Sequence, residues 1–270
     1  MDEPWLRPPT DPSRPSDLSK PSVGRVYDYL LGGSSNFSVD REFARAVRQV
    51  FPGASEFARL NRLLLQRVVR FLVSRGVRQF LDLGSGFPTV GSVHEVAQRI
   101  APECRVVYVD LEPIAVAHNE LVLENNDRAT VVRGDLRRPE ELLAHPGVTG
   151  LLDPTEPIGL LMLATLHFVG NDEDPAALVE RYRRQLAPGS YLAVSHATNT
   201  RSGIASAARM YRNTAYPATL RTRSQIRELL TGFDLVEPGV VFSSQWRPDL
   251  PEEARQPERS AAYAAVGHRR

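Results

Sequence analysis

Residues 79–86 read Gln79-Phe80-Leu81-Asp82-Leu83-Gly84-Ser85-Gly86, an apolar run that ends in two glycines one residue apart. The run is short and lacks helical spacing, which predicts a buried strand over Gln79–Leu83 followed by a tight turn. Downstream, short apolar runs alternate with helical stretches. Strands are expected at Arg105–Asp110, Thr130–Val132, Ile158–Leu163 and Tyr191–Ser195, with helices at Val90–Ile100, Pro113–Asn125 and Pro175–Leu186. Such alternation favours a mostly parallel sheet covered on both faces. The C-terminal part differs: a helix over Arg223–Leu230 precedes two apolar runs, Phe233–Val241 and Ala261–Val266, joined by a Pro-rich loop. A closing antiparallel pair fits there.

Upstream of the turn the spacing is helical. Val23–Leu31 stops at Gly32-Gly33, Val39–Val50 closes at Pro52-Gly53, and a long amphipathic segment runs from Ser55 to Ser74 with Leu60, Leu64, Val68 and Leu72 four residues apart. Residues 1–21 carry six prolines among small and charged residues and read as a flexible tail. The expected organisation is therefore tail 1–21, helical cap or lid 22–75, and a Rossmann-like α/β domain over 76–270.

A chain of 270 residues with 42% hydrophobic and 24% charged residues can build a sizeable core, which excludes a wholly disordered protein. Its 33 basic and 32 acidic residues leave a formal charge of +1, so no global field points to nucleic acid or anionic lipid. A lone cysteine, Cys104, excludes an internal disulfide and a cysteine-cluster metal site, and the chemistry read below requires no metal. No apolar run reaches the roughly 18 residues of a membrane span and no signal-peptide core follows Met1, so no membrane association and a cytoplasmic location are expected. Lys20 is the only lysine; the arginine excess reads as a codon effect.

The chemical signal lies at the strand ends. Gly84 and Gly86 let backbone approach a ligand, and in open α/β sheets ligands bind beyond the carboxyl ends of the strands. The next strand ends in Asp110, placed to accept both hydroxyls of a ribose, and the third is followed by Gly134-Asp135-Leu136, whose carboxylate can accept from an adenine amino group. Two adenosine-containing ligands compete. A dinucleotide site prefers G-x-G-x-x-G, but the third glycine position holds Thr89 after the bulky Phe87-Pro88. Asp82, two residues before Gly84, would repel a pyrophosphate but could hold the cationic end of an amino acid. The order acid-x-Gly-x-Gly, Asp110, Asp135 is that of S-adenosylmethionine sites.

More than this motif matches a known family. The chain resembles, over residues 21–268, a bacterial S-adenosylmethionine-dependent methyltransferase family long catalogued as a domain of unknown function. The resemblance rests on Gly24-Arg25-Val26-Tyr27-Asp28-Tyr29-Leu30-Leu31-Gly32-Gly33, Asn36-Phe37, Val39-Asp40-Arg41, Arg78 to Gly86, His94 to Gln98, Val107 to Asp110, Leu166-His167-Phe168 and Ser195-His196. It implies a seven-stranded Rossmann-like sheet with an antiparallel last strand. Leu111-Glu112 departs from the family pattern, where a short polar residue followed by Asp is expected, so a cofactor contact from Glu112 is less secure than one from Asp110.

On this reading Asp82, Gly84, Ser85, Gly86 and Asp110 hold the cofactor, with Leu111, Asp135 and Leu136 at its adenine side. The segment from Tyr27 to Asp40 reads as a lid in which Gly33 reverses the chain beside the cofactor while Tyr27 and Phe37 cover its methionine part. His167 and His196 follow the fourth and fifth strands and are the candidate catalytic bases. His94 reads as a packing residue, Arg62 as an equally good solvated residue or pocket residue, and Arg133, Arg137 and Arg138 as a solvated edge. The leading expectation is methyl transfer to oxygen or nitrogen of a small molecule. The alternative is a non-catalytic protein that binds or senses S-adenosylmethionine. An open cavity beyond the methyl group, lined by His167, His196 or Tyr211, would favour catalysis; a filled wall would favour binding alone.

Overall fold

The computed structural model describes residues 17–212 and 214–270. The N-terminal part holds α1 (Val23–Leu31), α2 (Ser38–Val50) and α3 (Ala54–Ser74). There follow β1 (Gln79–Leu83), α4 (Val93–Ile100), β2 (Arg105–Asp110), α5 (Pro113–Leu123), β3 (Ala129–Arg133), α6 (Pro139–Leu143), α7 (Pro146–Thr149) and β4 (Ile158–Leu163). The chain ends with α8 (Pro175–Gln185), β5 (Tyr191–Ala197), α9 (Ile204–Tyr211), α10 (Arg223–Leu229), β6 (Asp234–Leu235), β7 (Val241–Phe242) and β8 (Ala262–His268). The expected tail lies mostly on residues outside the described ones. Its last part, from Asp17, turns back so that the Lys20 carbonyl accepts from Arg25 at 2.8 Å.

The strands form one sheet in the order β3-β2-β1-β4-β5-β8-β6, with β7 also paired to β8. β1 to β5 run parallel and β8 is antiparallel to its three neighbours. Seven strands make the path, as expected; the eighth is the two-residue β7. The sheet is buried on both faces because its strands alternate two apolar sets. Leu81, Val107, Val109, Leu160 and Met162 face α8 and α10, whereas Phe80, Val106, Tyr108, Leu161 and Leu163 face α3 and α4. The C-terminal half of α3 belongs to that second core layer, while its start joins α1, α2 and α9 in a third cluster over the strand ends.

Three local readings are corrected. The helix expected from Val90 starts at Val93, because Gly91 adopts φ +76° and its N–H is taken by the Glu95 carboxylate at 2.7 Å. The apolar run Phe233–Val241 is broken at Pro238-Gly239, leaving two short strands in place of one. α9 escaped the reading because its buried positions, Ile204 and Ala207, sit among small residues that leave little periodic contrast. Among the described residues no helix is long and apolar enough to cross a membrane.

Candidate functional site

A cavity of about 940 Å³ opens at the carboxyl ends of β1, β2, β3 and β4, under a roof made by α1, α2, α3, α9 and the segment 214–220. Its floor has two halves of different chemistry.

The first half is built by turns that leave the strands. Gly84 sits at φ +74°, and a Cβ there would lie 2.6 Å from the Thr165 methyl, so both conformation and space require glycine. The N–H groups of Gly84 and Ser85 are held by the Val109 carbonyl at 2.8 and 3.1 Å, which docks the turn on β2. Gly86 donates to Asp110 Oδ2 at 2.7 Å, and Glu112 donates to Oδ1 at 2.9 Å, so the Asp110 carboxylate is locked in place with acceptor capacity left on each oxygen. Gly86 has open space where a side chain would begin. Ser85 Oγ is buried without a hydrogen-bond partner among the described residues. Asp82 also lines the cavity, and its carboxylate accepts no hydrogen bond from any described residue. Burial pushes its pKa up to about 7, against the pull of Arg62 and with the help of Asp110. Burial likewise raises Asp110.

Leu111, Asp135 and Leu136 line the same half. Asp135, expected to face an adenine amino group, is gripped by Arg137, whose Nε and Nη2 donate at 2.9 and 2.7 Å. Arg137 is thus no solvated edge residue: it lines the cavity, pairs with Asp135 and Glu173, and has its pKa raised despite burial by its bonds to these two acids. Arg138 does lie at the exposed edge, beside Glu141. Arg62 lines the cavity and donates to Thr89. Glu112 accepts from Arg25 at 3.3 Å, and Arg25, itself buried, donates to Asp40 at 2.7 Å, so α1 and α2 are latched to the end of β2. Sequence reasoning did not single out Tyr216, which lies over this half within the fields of Arg137 and Asp135; burial pushes its phenol up to about 12.

The second half is apolar and aromatic. Leu30, Val47, Phe51, Phe57, Phe168 and Tyr211 line it, with Tyr27 at its seam with the first half. Tyr27 is fixed by donating to the Ala58 carbonyl and accepting from Asn61, which in turn accepts from Ser195 of β5. Ala164, at φ 55°, turns the chain off β4 and sends Thr165 and His167 toward the cavity. His167 is buried, neither ring nitrogen meets a described hydrogen-bond partner, and Nδ1 is sealed from solvent. Burial first, then His196 and Arg221, hold its pKa well below the ordinary histidine value, so it is neutral near pH 7.

Other expected residues stand elsewhere. His196 does not line the cavity: Nδ1 donates to the Ala197 carbonyl and Nε2 accepts from Arg221, both at 2.8 Å, which leaves no nitrogen to take a substrate proton. Burial brings its pKa down to about 3. Gly33 lies outside the cavity and is glycine because a Cβ would fall 2.0 Å from the buried Asp28 carboxylate. Phe37 is 41% exposed, beneath the Arg25 guanidinium rather than over the cavity. His94 packs against Tyr108, as read.

A family model described as S-adenosyl methyltransferase matches residues 9–270. No match was found among curated proteins. Among solved structures, a candidate methyltransferase from Thermobifida fusca YX is 38% identical with a TM-score of 0.90, the match covering 100% of this chain and 99% of that one. A DUF574 family protein from Streptomyces avermitilis MA-4680 is 34% identical with a TM-score of 0.89, covering 94% of this chain and 99% of its own. The magnesium protoporphyrin IX methyltransferase from Synechocystis PCC 6803 with bound SAH shares the fold at 17% identity and a TM-score of 0.53, over 91% of this chain and 93% of that one.

Proposed function

This chain belongs to the S-adenosyl methyltransferase family, and on that premise we propose that it methylates a small molecule at oxygen or nitrogen. Its methyl donor is S-adenosylmethionine. The residues suit that cofactor: a tight turn at Gly84, open backbone at Gly86, an unpartnered Ser85 hydroxyl, and a buried Asp82 carboxylate that accepts no hydrogen bond from the described residues. When bound, the cofactor supplies an electrophilic methyl group on a sulfonium.

We assign Asp110 to the ribose hydroxyls, Asp82 to the cationic methionine end, and Leu111 and Leu136 to the faces of the adenine. Asp135 acts through Arg137 as well as on its own. Gly84, Ser85 and Gly86 let the backbone close on the cofactor, and Tyr27 covers the seam toward the acceptor. His167 is the catalytic candidate because it alone of the two strand-end histidines borders the cavity. His196 anchors Arg221. Gly33 and Phe37 hold the lid segment itself and need not touch the cofactor.

The observation that carries catalysis over mere cofactor retention is the cavity's continuation past Thr165 into the aromatic half beside His167. A protein that only sensed the cofactor would have no use for that chamber. A charge of +1 provides no field for nucleic acid, which favours a small acceptor. A cytoplasmic location suits the lone buried Cys104.

The test is co-purification mass spectrometry followed by thermal shift with S-adenosylmethionine, S-adenosylhomocysteine and NAD. Both sulfur compounds should raise the Tm and NAD should not, since only ligands of the native state stabilise it. Labelled S-adenosylmethionine should then transfer its methyl to the small-molecule fraction of an extract. Label that stays on the donor would leave only the binding protein.

A further inference from the structure

The two halves of the cavity differ in charge as well as in polarity. Every carboxylate that lines it comes from the strand-end turns of the first half or from the N-terminal strap: Asp17, Asp82, Asp110, Glu112 and Asp135. Between Val47 and Arg62, and between Leu163 and Leu220, the described lining residues include no acid. Behind His167 stands Arg221, 3% exposed and without a carboxylate partner among the described residues; burial draws its pKa down, but a guanidinium starts so far above neutrality that it keeps its charge. Its donors are spent on neutral groups instead: the Leu166 and Val169 carbonyls at 3.0 and 2.8 Å, the Asn171 side chain at 2.8 Å, and His196 Nε2. Buried charges are ordinarily paired, so this one leaves a positive field beneath the acceptor chamber.

The imidazole between that cation and the chamber has a defined polarity. His196 Nε2 accepts a hydrogen bond from Arg221, so its ring proton sits on Nδ1. His167 lies 5.6 Å from it, ring centre to ring centre. His167 Nδ1 is sealed and unpartnered. An N–H buried without an acceptor bears the full desolvation cost, whereas an unused lone pair is better tolerated. The proton of the neutral ring therefore belongs on Nε2, the nitrogen left to meet a ligand, and His167 presents a donor rather than a base.

We propose that the acceptor enters as an oxyanion, a carboxylate or an ionised phenol or enol on an apolar body, whose oxygen takes a hydrogen bond from His167 Nε2–H in the field of Arg221. This rests on the methyltransferase reading and names its substrate class. The oxygen supplies the electron pair of the new O–CH3 bond, the S–CH3 bond breaks with its pair left on sulfur, and no proton is released. No general base is required. The charged and titratable groups facing the chamber are His167, the phenols of Tyr27, Tyr211 and Tyr216 and the guanidinium groups of Arg62 and Arg212, with His196 and Arg221 behind His167 and Asp82 at the donor edge. Burial raises the phenols and lowers the imidazoles and Arg221, so the phenols and imidazoles stay neutral between pH 6 and 9, and Asp82, pushed up to about 7, is the group that titrates there. With the cofactor product bound, its ammonium group holds Asp82 ionised, and the pH dependence of acceptor binding is then that of the acceptor.

The probe is 4-nitrophenol, whose visible absorption distinguishes phenolate from phenol, added to the full chain saturated with S-adenosylhomocysteine. The bound probe should ionise about one pH unit below the free probe, a tenfold preference for the anion. His167→Gln, which keeps an N–H donor, should retain most of that preference, and His167→Phe should lose it. A bound probe that stays neutral to higher pH than in water, as an apolar chamber alone demands, would overturn the proposal, and so would absence of binding to the S-adenosylhomocysteine-loaded protein. If His167→Phe does not fold, the wild-type spectrum decides alone. Failure of S-adenosylhomocysteine itself to bind would overturn the methyltransferase reading and this inference with it.

Discussion

The donor edge and the acceptor chamber share one cavity but are made in opposite ways. The donor edge comes from three strand-end turns within residues 82–137, and its polar groups are held by short local bonds such as Gly86 N–H to Asp110 at 2.7 Å. The acceptor chamber is collected from α1, α2, α3, the turn after β4, α9 and the end of the segment 214–220, and is held by apolar packing. A site for a fixed cofactor can be written in a few adjacent turns. A site whose ligand varies is better assembled from remote helices and loops, which can change without disturbing the turn that binds the donor.

If that division is real, perturbing the donor edge should remove cofactor binding outright. Gly84→Ala forces a left-handed conformation on alanine and drives a methyl into Thr165, which should cost about 2–4 kcal/mol of stability and at least about a hundredfold in cofactor affinity. Denaturant unfolding and calorimetric titration would read both. Normal affinity in this variant would break the comparison at its root.

The next effect is a pH dependence confined to the donor edge. Burial pushes the Asp82 pKa up to about 7, and a cationic ligand beside it must lower that value. Binding then expels a proton below pH 7, so affinity rises with pH, by about tenfold between pH 6 and 8, and levels off above. Asp82→Asn should flatten the profile. A wild-type profile that is already flat would place the ligand cation elsewhere.

The smallest effect sharpens the edge of the site. Phe37 sits under Arg25, outside the cavity, so Phe37→Ala should cost at most about 1 kcal/mol, the scale of an exposed cation–π contact, and change cofactor affinity by less than about twofold. A tenfold loss would restore the cover role that its place in the lid segment suggested.

The same division explains how much the amino-acid sequence disclosed. The boundaries of β1, β2 and β4 were legible because each is a short, mostly apolar run closed by turn residues, and the carboxylates of the donor edge lie at or near the ends of those runs. Partners remote in sequence were not legible. Gly33 looked like a cofactor-side reversal, but its constraint is Asp28, a buried acid in the preceding helix. His196 looked equivalent to His167, yet Arg221, 25 positions away, consumes its free nitrogen. Arg137 looked solvated because nothing local announces Glu173. The arginine excess, read as a codon effect, includes Arg25, Arg67 and Arg221, all buried and all bonded to main-chain carbonyls that no sequence pattern marks.

The most direct measurement is calorimetric titration of S-adenosylmethionine into wild-type protein, Asp110→Ala and His167→Ala. Removing Asp110 deletes charge-assisted bonds to the cofactor and should weaken binding about 10- to 100-fold, whereas His167→Ala should leave it within about threefold. Comparable losses in the two variants would contradict the division of the cavity into a donor edge and an acceptor chamber.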